Sequence, residues 1–193
     1  MFRRMPIPTP FQVGAVNAYL AGRTLVDPGP DSEESWAALV SALESSGLQP
    51  EDVERVVITH PHPDHFGLAH RLRDRGTEVV AAPRTAEIMG DFEGNFEYER
   101  AYFGDFLARC GLGEDTAATV VGLPEAYLHY APSVGTDREL EAGETIAVDG
   151  VDLTAEETMG HAESELVLRY GDDPLCFEEY LGRPEQTAAK VRD

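Results

Sequence analysis

The stretch of sequence that decides the fold is Thr59-His60-Pro61-His62-Pro63-Asp64-His65-Phe66-Gly67. Three of the six histidines of the chain and one carboxylate lie within these few residues. The apolar run Val56-Val57-Ile58 precedes the stretch and predicts a short buried strand. Leu68, Ala69 and Leu72 follow it at helical spacing, so the stretch is predicted to join a strand to a helix. Layered α/β proteins place their functional sites at such junctions, because the loop is accessible while its flanks are fixed.

The residue types in this stretch indicate a metal site. Imidazole nitrogens and a carboxylate oxygen suit zinc, and they also suit iron or manganese. Each residue has an ordinary alternative role: Asp64 as a helix N-cap, His65 as a cover for the first helical turn, and His60 as a buried strand-end histidine with a backbone partner. All of these residues at this spacing are better explained together by a metal than by separate structural roles.

The flanking sequence predicts alternating strands and helices. Strands are predicted at 11–20, 23–26, 55–59 and 78–81, with helices at about 31–47 and 66–75. After Pro132 the pattern predicts strands at 145–148, 151–157 and 165–170, and Leu175–Phe177 begins another. This order predicts a layered α/β fold.

One segment, Asp91 to Cys110, differs from its surroundings. Phe92, Phe96, Phe103, Phe106 and Cys110 recur at helical spacing. Such an aromatic stripe is typical of core packing, and the alternative is a helical insertion that roofs a substrate pocket. The glycines at 94, 104, 111 and 113 favour the roof, because glycine weakens a helix.

The histidine stretch resembles the H-x-H-x-D-H motif of the metallo-β-lactamase superfamily, in its hydroxyacylglutathione-hydrolase-like branch. Two other segments are similar to that family, the strand end Leu25-Val26-Asp27-Pro28-Gly29 and the T-x-G-H segment Thr158-Met159-Gly160-His161. The resemblance implies an αββα sandwich in which His60, His62 and His161 hold one metal. It implies that Asp64 and His65 contribute to a second metal, that Asp64 lies near the attacking water, and that Asp27 supports the loop.

The sequence departs from the family pattern after Phe177. The family has a bridging aspartate there and a later histidine, whereas this chain continues Glu178-Glu179-Tyr180 and has no histidine after His161. We therefore predict an αββα sandwich that is incomplete in its second half, with a domain at 1–177. Residues 178–193 are predicted to be a polar tail with a helix start at Pro184-Glu185. The first metal keeps three imidazoles, and the second is expected to bind weakly.

The function implied by the resemblance is metal-dependent hydrolysis of a small acyl compound, a thioester or a lactone, by a metal-activated water. The alternative is a non-catalytic metal-binding remnant of such an enzyme, which the missing ligands favour. A nuclease-type member of the family is disfavoured by the charge balance.

The charge balance is strongly acidic. Asp and Glu number 36 against 15 Lys and Arg, the net charge is −21, and the single lysine is Lys190. This composition favours adaptation to a salt-rich cytoplasm, and a GC-rich genome is the alternative source of the arginine preference. Without a basic patch we expect no nucleic-acid partner. With no secretory signal and no apolar run near ~20 residues, we expect a cytoplasmic protein without a membrane partner.

The remaining cysteines and histidines are predicted to be structural. Cys110 and Cys176 form no C-x-x-C pair and are expected to be small buried apolar residues. His70 is expected on a helix surface, and His129 is expected to be structural or to line a pocket.

Overall fold

The computed structural model describes residues 2–170 and the backbone of the short strand Asp173–Pro174. The predicted strand at 175–177, Cys176 and the predicted tail at 178–193 lie outside the described residues. The ten described strands are β1 (Arg3–Ile7), β2 (Val16–Ala21), β3 (Thr24–Val26), β4 (Arg55–Ile58), β5 (Glu78–Ala81), β6 (Arg138–Glu139), β7 (Thr145–Val148), β8 (Val151–Thr158), β9 (Glu165–Tyr170) and β10 (Asp173–Pro174). The described α-helices are α1 (Glu33–Glu44), α2 (Pro63–Phe66), α3 (Ala69–Arg73), α4 (Pro83–Gly90), α5 (Phe92–Arg109) and α6 (Glu114–Gly122), with 3-10 helices at Pro50–Asp52 and Leu123–Tyr130.

The first sheet contains β1 to β6 in chain order. The pairs β1–β2 and β2–β3 are antiparallel, whereas β3, β4, β5 and β6 run parallel. Each parallel pair is joined by helices, as parallel connections require. The carboxyl ends of β3 and β4 therefore lie side by side, and this brings Asp27 next to Thr59.

Strand β4 is buried on both faces, which explains its unbroken apolar sequence. Val56 and Ile58 belong to the core between the first sheet and the helices, and Val57 belongs to the core between the two sheets. Strand β5 repeats the pattern, with Val79 and Ala81 on the helix side and Val80 on the other. The strand that leads into the histidine loop is thus held by packing from both sides.

The second sheet is antiparallel, in the order β10-β9-β8-β7. Strands β7 and β8 are joined at Asp149-Gly150, and both residues have positive φ angles (50° and 77°), as a tight hairpin requires. The buried residues of β7, β8 and β9 alternate and face the first sheet. The connection from β8 to β9 carries His161, and the backbone N–H of Leu166 donates to Thr59 O at 2.7 Å. This bond joins the two sheets at the histidine loop.

The helices agree with the sequence in part. Helix α1 lies within the predicted range 31–47, and Ser32 caps it by accepting a hydrogen bond from the Ser35 N–H. The predicted helix 66–75 is instead two short helices, α2 and α3, separated at Gly67 and Leu68. The predicted strand 11–20 begins only at Val16, and β1 was not predicted.

The predicted α/β sandwich is confirmed, with helices covering the outer face of the first sheet. Within residues 2–170 the outer face of the second sheet stays exposed, so this part of the chain forms three of the four αββα layers. In the same part of the chain, no helix is long and apolar enough to cross a membrane.

Candidate metal centre

The histidine loop begins where β4 ends and is closed by α2. Pro63 occupies the first turn of α2, and His62 is the N-cap residue. Asp64 therefore lies inside the helix, and the alternative that it caps the helix is wrong. The prolines fix the backbone on both sides of His62, because each restricts φ.

The structure brings three of the predicted ligands together. The side-chain nitrogens of His60, His62 and His161 that could bind a metal lie within 4.8 Å of one another. The ring centroids are 4.7 Å apart for His60 and His62, 5.1 Å for His60 and His161, and 4.5 Å for His62 and His161. His60 is buried, His62 is half-buried and His161 is exposed, so the cluster opens to solvent on the His161 side.

Hydrogen bonds to Asp27 and Thr59 fix the tautomer of His60. The Thr59 hydroxyl donates to Asp27 Oδ2 at 2.6 Å, and the Thr59 N–H donates to Asp27 Oδ1 at 2.8 Å. His60 Nδ1 lies 2.9 Å from the same hydroxyl, whose only proton is already used, so His60 Nδ1 must be the donor. His60 Nε2 then carries a lone pair, and it is buried without a hydrogen-bond partner. An unpartnered buried acceptor in a cluster with two other imidazoles fits a metal ligand. The bond of Nδ1 to the Thr59 hydroxyl excludes the alternative of a backbone-bonded histidine.

Burial keeps His60 neutral. The pKa of His60 is lowered to about 3, mainly by burial and secondly by repulsion from His65. Attraction to Asp27 opposes this with a smaller effect. Burial and the nearby His161 also lower the pKa of His62. Both imidazoles are therefore neutral at physiological pH, and a neutral imidazole is the form that binds metals.

Asp27 raises the pKa of His65, whereas burial lowers the pKa of His60 and His62. Asp27 is buried in a left-handed backbone conformation (φ 49°), and its Oδ2 lies 2.9 Å from His65 Nδ1. Burial lowers the pKa of His65, but attraction and hydrogen bonding to Asp27 outweigh it and raise that pKa overall. Burial likewise raises the pKa of Asp27, and His65 outweighs it and lowers that pKa. Asp27 thus orients His65, and it contacts the histidine loop, which the family resemblance implied that it supports.

Asp64 and His65, the predicted second-site ligands, lie beside each other, with Asp64 Oδ2 3.7 Å from His65 Nε2. Among the described residues, Asp64 belongs to no group of three close metal-binding atoms. Asp27, His60 and His65 do form such a group, but both carboxylate oxygens of Asp27 already accept hydrogen bonds. We interpret that group as the hydrogen-bonded support of the loop.

Glu165 holds the loop that carries His161, although it was not among the predicted site residues. Its Oε1 accepts hydrogen bonds from the N–H groups of His161 (2.8 Å) and Ala162 (2.9 Å), and its Oε2 accepts one from the Thr158 hydroxyl (3.1 Å). These bonds close the β8–β9 connection into a compact turn. A glutamate shortly after a T-x-G-H segment was the available signal.

A pocket of about 260 Å³ adjoins His62. One wall is formed by residues of the histidine loop and of the segment after His161, and the roof is formed by α5 and the 3-10 helix Leu123–Tyr130. Phe92 and Phe96 both line it, so the first two turns of the aromatic stripe roof the pocket. Phe103 and Phe106 lie beyond the pocket and are exposed, so for them the core-packing interpretation is wrong.

The other predicted structural residues lie apart from the three-histidine cluster. His70 is half-buried, and its Nε2 lies 2.9 Å from Asp31 Oδ2. His129 stacks on Tyr130 and borders a shallow depression next to α5, not the pocket beside His62. Cys110 is exposed at the end of α5, so the prediction that it is buried is wrong.

Comparison with known proteins identifies the family. The family model of the Metallo-beta-lactamase superfamily matches residues 12–177. The chain belongs to this superfamily. It is 32% identical over 183 residues to the probable metallo-hydrolase YqjP of Bacillus subtilis (strain 168), covering 92% of this chain and 53% of that protein.

Solved structures show the same fold. A metallo-beta-lactamase family protein from Thermus thermophilus, TTHA1429, matches with a TM-score of 0.72 and 25% identity, over 88% of this chain and 55% of that one. A beta-lactamase domain protein from Burkholderia ambifaria matches with a TM-score of 0.63 and 24% identity, over 88% and 50%. The chain thus spans about half the length of the relatives it matches. The family and the histidine cluster together imply binding of a divalent metal.

Proposed function

We propose that this chain hydrolyses acyl compounds of the thioester or lactone type, using a divalent metal, zinc in the first instance, held by His60, His62 and His161. The observation that carries the proposal is the buried, unpartnered Nε2 of His60, which lies in a cluster with two other imidazoles. Three imidazoles with one side open to solvent are the ligand set of a catalytic zinc site. A bound cation would supply Lewis-acid chemistry, polarising the acyl carbonyl and lowering the pKa of a water.

The residues of the chain have separate roles in this proposal. Asp64, half-buried beside the cluster, accepts a proton from the attacking water and orients it. His65 Nδ1 is engaged by Asp27, so its Nε2 faces Asp64 and contributes with Asp64 to a weaker second site. The open side at His161 admits the substrate, whose acyl group has the adjoining pocket available.

Metal content tests the ligand set. After loading with zinc and removal of free ion, we expect about one equivalent by elemental analysis, because three imidazoles make one well-formed site. His161→Ala should lose most of it, while His129→Ala, a histidine outside the cluster, should keep it. Two tightly held equivalents would show that the second site is complete. A protein that retains no zinc would contradict the proposal.

Hydrolysis tests the role of Asp64. With a simple aryl thioester or a γ-thiolactone, Asp64→Ala should lower kcat by ~10²-fold or more, as removal of a general base does. Asp152→Ala, at an exposed position of β8, is the matched control. One equivalent of metal without any turnover would favour the second candidate, a non-catalytic metal-binding protein, which the lack of a third ligand beside Asp64 and His65 among the described residues supports.

A further inference from the structure

The pocket beside His62 is directly continuous with the histidine cluster. Its near wall contains Pro61, His62 and Pro63, and its far wall comes from α5. A substrate whose carbonyl lies at the cluster would therefore place its acyl group between this near wall and Phe92 and Phe96. The pocket is thus placed to hold the part of the substrate next to the reacting bond.

The lining of the pocket is largely apolar and aromatic. Phe92, Phe96, Ile88, Tyr127 and Leu128 supply much of its surface. Such a surface favours an aliphatic or aromatic group, because burial of apolar area is the main source of affinity there. At about 30 Å³ for each water-sized volume, a space of about 260 Å³ accommodates roughly eight or nine non-hydrogen atoms. A medium-length alkyl chain or a phenylalkyl group has this size.

The charged groups in the described lining are all acidic. Within the part of the chain that the structure describes, no lysine or arginine lines the pocket, whereas Glu99 and Glu163 do. Glu163 is ion-paired, because Nη2 and Nε of Arg84 lie 2.7 and 3.0 Å from Glu163 Oε2, and Arg84 also pairs with Glu87 through Nη1 at 2.7 Å. Of the two lining carboxylates, Glu99 is therefore the one whose charge is not offset by an ion pair among the described residues.

Glu99 has no ion pair among the described residues. Its Oε1 accepts a hydrogen bond from Asn95 Nδ2 at 3.1 Å, one helical turn away on the same face of α5. Arg100, the neighbouring base, is directed to Glu97 and Glu125. Glu99 is half-buried, so its field is screened less than that of a surface carboxylate.

We propose that this pocket binds the acyl group of the substrate and that Glu99 determines its charge class, admitting apolar acyl groups with a neutral or cationic end and rejecting anionic ones. The inference rests on the proposed hydrolytic function, and it names the substrate class of that same site. An anionic acyl group would lose its hydration against a like charge with no described basic side chain to meet it. A cationic or neutral end meets Glu99 or the Asn95 amide without that cost.

Hydrolysis of three matched thioesters tests the charge selection. Their acyl groups are hexanoyl, 6-trimethylammoniohexanoyl and 5-carboxypentanoyl, which differ only at the far end. We expect kcat/KM for the anionic substrate to be roughly tenfold or more below the other two, because charges near a protein surface interact with an effective dielectric constant of about 20. Glu99→Gln should remove most of this difference. Glu97→Gln removes the same charge from the same helix outside the pocket and should leave it unchanged.

Binding measured without turnover separates this proposal from the hydrolytic one. Zinc-loaded protein is titrated by calorimetry or ligand-observed NMR with 4-phenylbutanol, 4-phenylbutyltrimethylammonium and 4-phenylbutanesulfonate. The alcohol and the ammonium should bind more tightly than the sulfonate, and Glu99→Gln should reduce the difference, even if no thioester is hydrolysed. Equal or tighter binding of the sulfonate by the unaltered protein, or an equal effect of Glu97→Gln, would overturn the proposal.

Discussion

Thr59 and Asp27 determine which nitrogen of each neighbouring histidine is available. The carboxylate accepts two hydrogen bonds from Thr59 and one from His65 Nδ1, and the Thr59 hydroxyl in turn accepts from His60 Nδ1. Both Nε2 atoms are consequently left free of these bonds. The support of the loop is thus a single connected network, and its centre is one buried charge.

Replacement of that charge has a predictable effect on His65. Asp27→Asn should lower the pKa of His65, because attraction and hydrogen bonding to Asp27 are what raise it. His65 has a higher pKa in the folded protein than its ordinary 6.5, so its contribution to stability is complete below that pH and is lost as pH rises through the raised value. The variant should lose this contribution. NMR titration of the His65 ring in metal-free protein measures the change.

Asp31→Asn is the control for this titration, because Asp31 engages His70 at the same 2.9 Å distance outside the cluster. Asp31→Asn should leave the pKa of His65 unchanged. An unaltered His65 pKa in Asp27→Asn would mean that the network does not set its protonation.

At this scale the sequence predicted the ligand candidates but not all of their supports. His60, His62, Asp64 and His65 stand in one short motif, so their proximity follows from local spacing. Thr59 bonds the side chains of Asp27 and His60, and this depends on β3 and β4 being neighbours in the first sheet. Glu165 accepts from the backbone N–H groups of His161 and Ala162, and this depends on the conformation of the β8–β9 connection. Spacing along the chain does not contain that information.

At the scale of elements, the C-terminal end of the short helix α2 packs closely against neighbouring backbone. A side chain at Gly67 would place its Cβ 2.1 Å from Tyr130 O and 2.4 Å from Asp31 N, both backbone atoms. Main-chain bonds from Gly29 N to His65 O and from Leu68 N to Gly29 O hold the same contact. The predicted single helix 66–75 is therefore divided at the point of closest approach.

Gly67→Ala should lower the free energy of unfolding by about 1–3 kcal/mol, the usual cost of overpacking, because backbone atoms cannot move aside easily. It should also lower zinc occupancy, since the N-cap residue of the displaced helix is His62, one of the three proposed ligands. The measurements are urea unfolding and elemental analysis. Gly104→Ala, in the open part of α5 with nothing within 4 Å of the added Cβ, should instead be neutral or stabilise by roughly 0.5–1 kcal/mol. Equal stability of the two variants would contradict the close fit at Gly67.

Helix α5 illustrates where a periodic pattern is insufficient. Its aromatic spacing predicted the helix correctly, but the same face is buried at Phe96 and exposed at Phe103 and Phe106. Burial along that face depends on how far the neighbouring 3-10 helix and histidine loop extend. Strand β2 is also shorter than the predicted strand 11–20. Residues 11–15 are apolar enough for a strand, but pairing with β1 begins only at Val16.

For the whole molecule, the fold class followed from the order of strands and helices, whereas the three-histidine cluster was predicted from the family resemblance. Strands β3 and β4 are parallel neighbours, so Asp27 and Thr59 meet at their ends. His161 reaches the cluster from the other sheet, across the core that contains Val57, Leu153 and Leu166. That long-range approach could be inferred only through the family resemblance of the T-x-G-H segment.

The whole chain also carries a net charge of −21, and we predict that its stability depends on molar salt. Fifteen basic residues cannot neutralise thirty-six acidic ones, and each exposed pair contributes only about 0–1 kcal/mol. At ~1 M ionic strength the screening length falls to about 3 Å, so surface carboxylates no longer repel one another. The midpoint of thermal unfolding, followed by circular dichroism, should rise steadily from low to molar potassium chloride.

The control is a combined Glu139→Gln, Glu141→Gln and Asp152→Asn variant, which is changed at exposed positions away from the histidines. Its unfolding midpoint should increase less with salt, because the variant has less charge repulsion to screen. A midpoint that does not move with salt in the unaltered protein would reject salt adaptation, and it would leave a GC-rich genome as the account of the arginine preference.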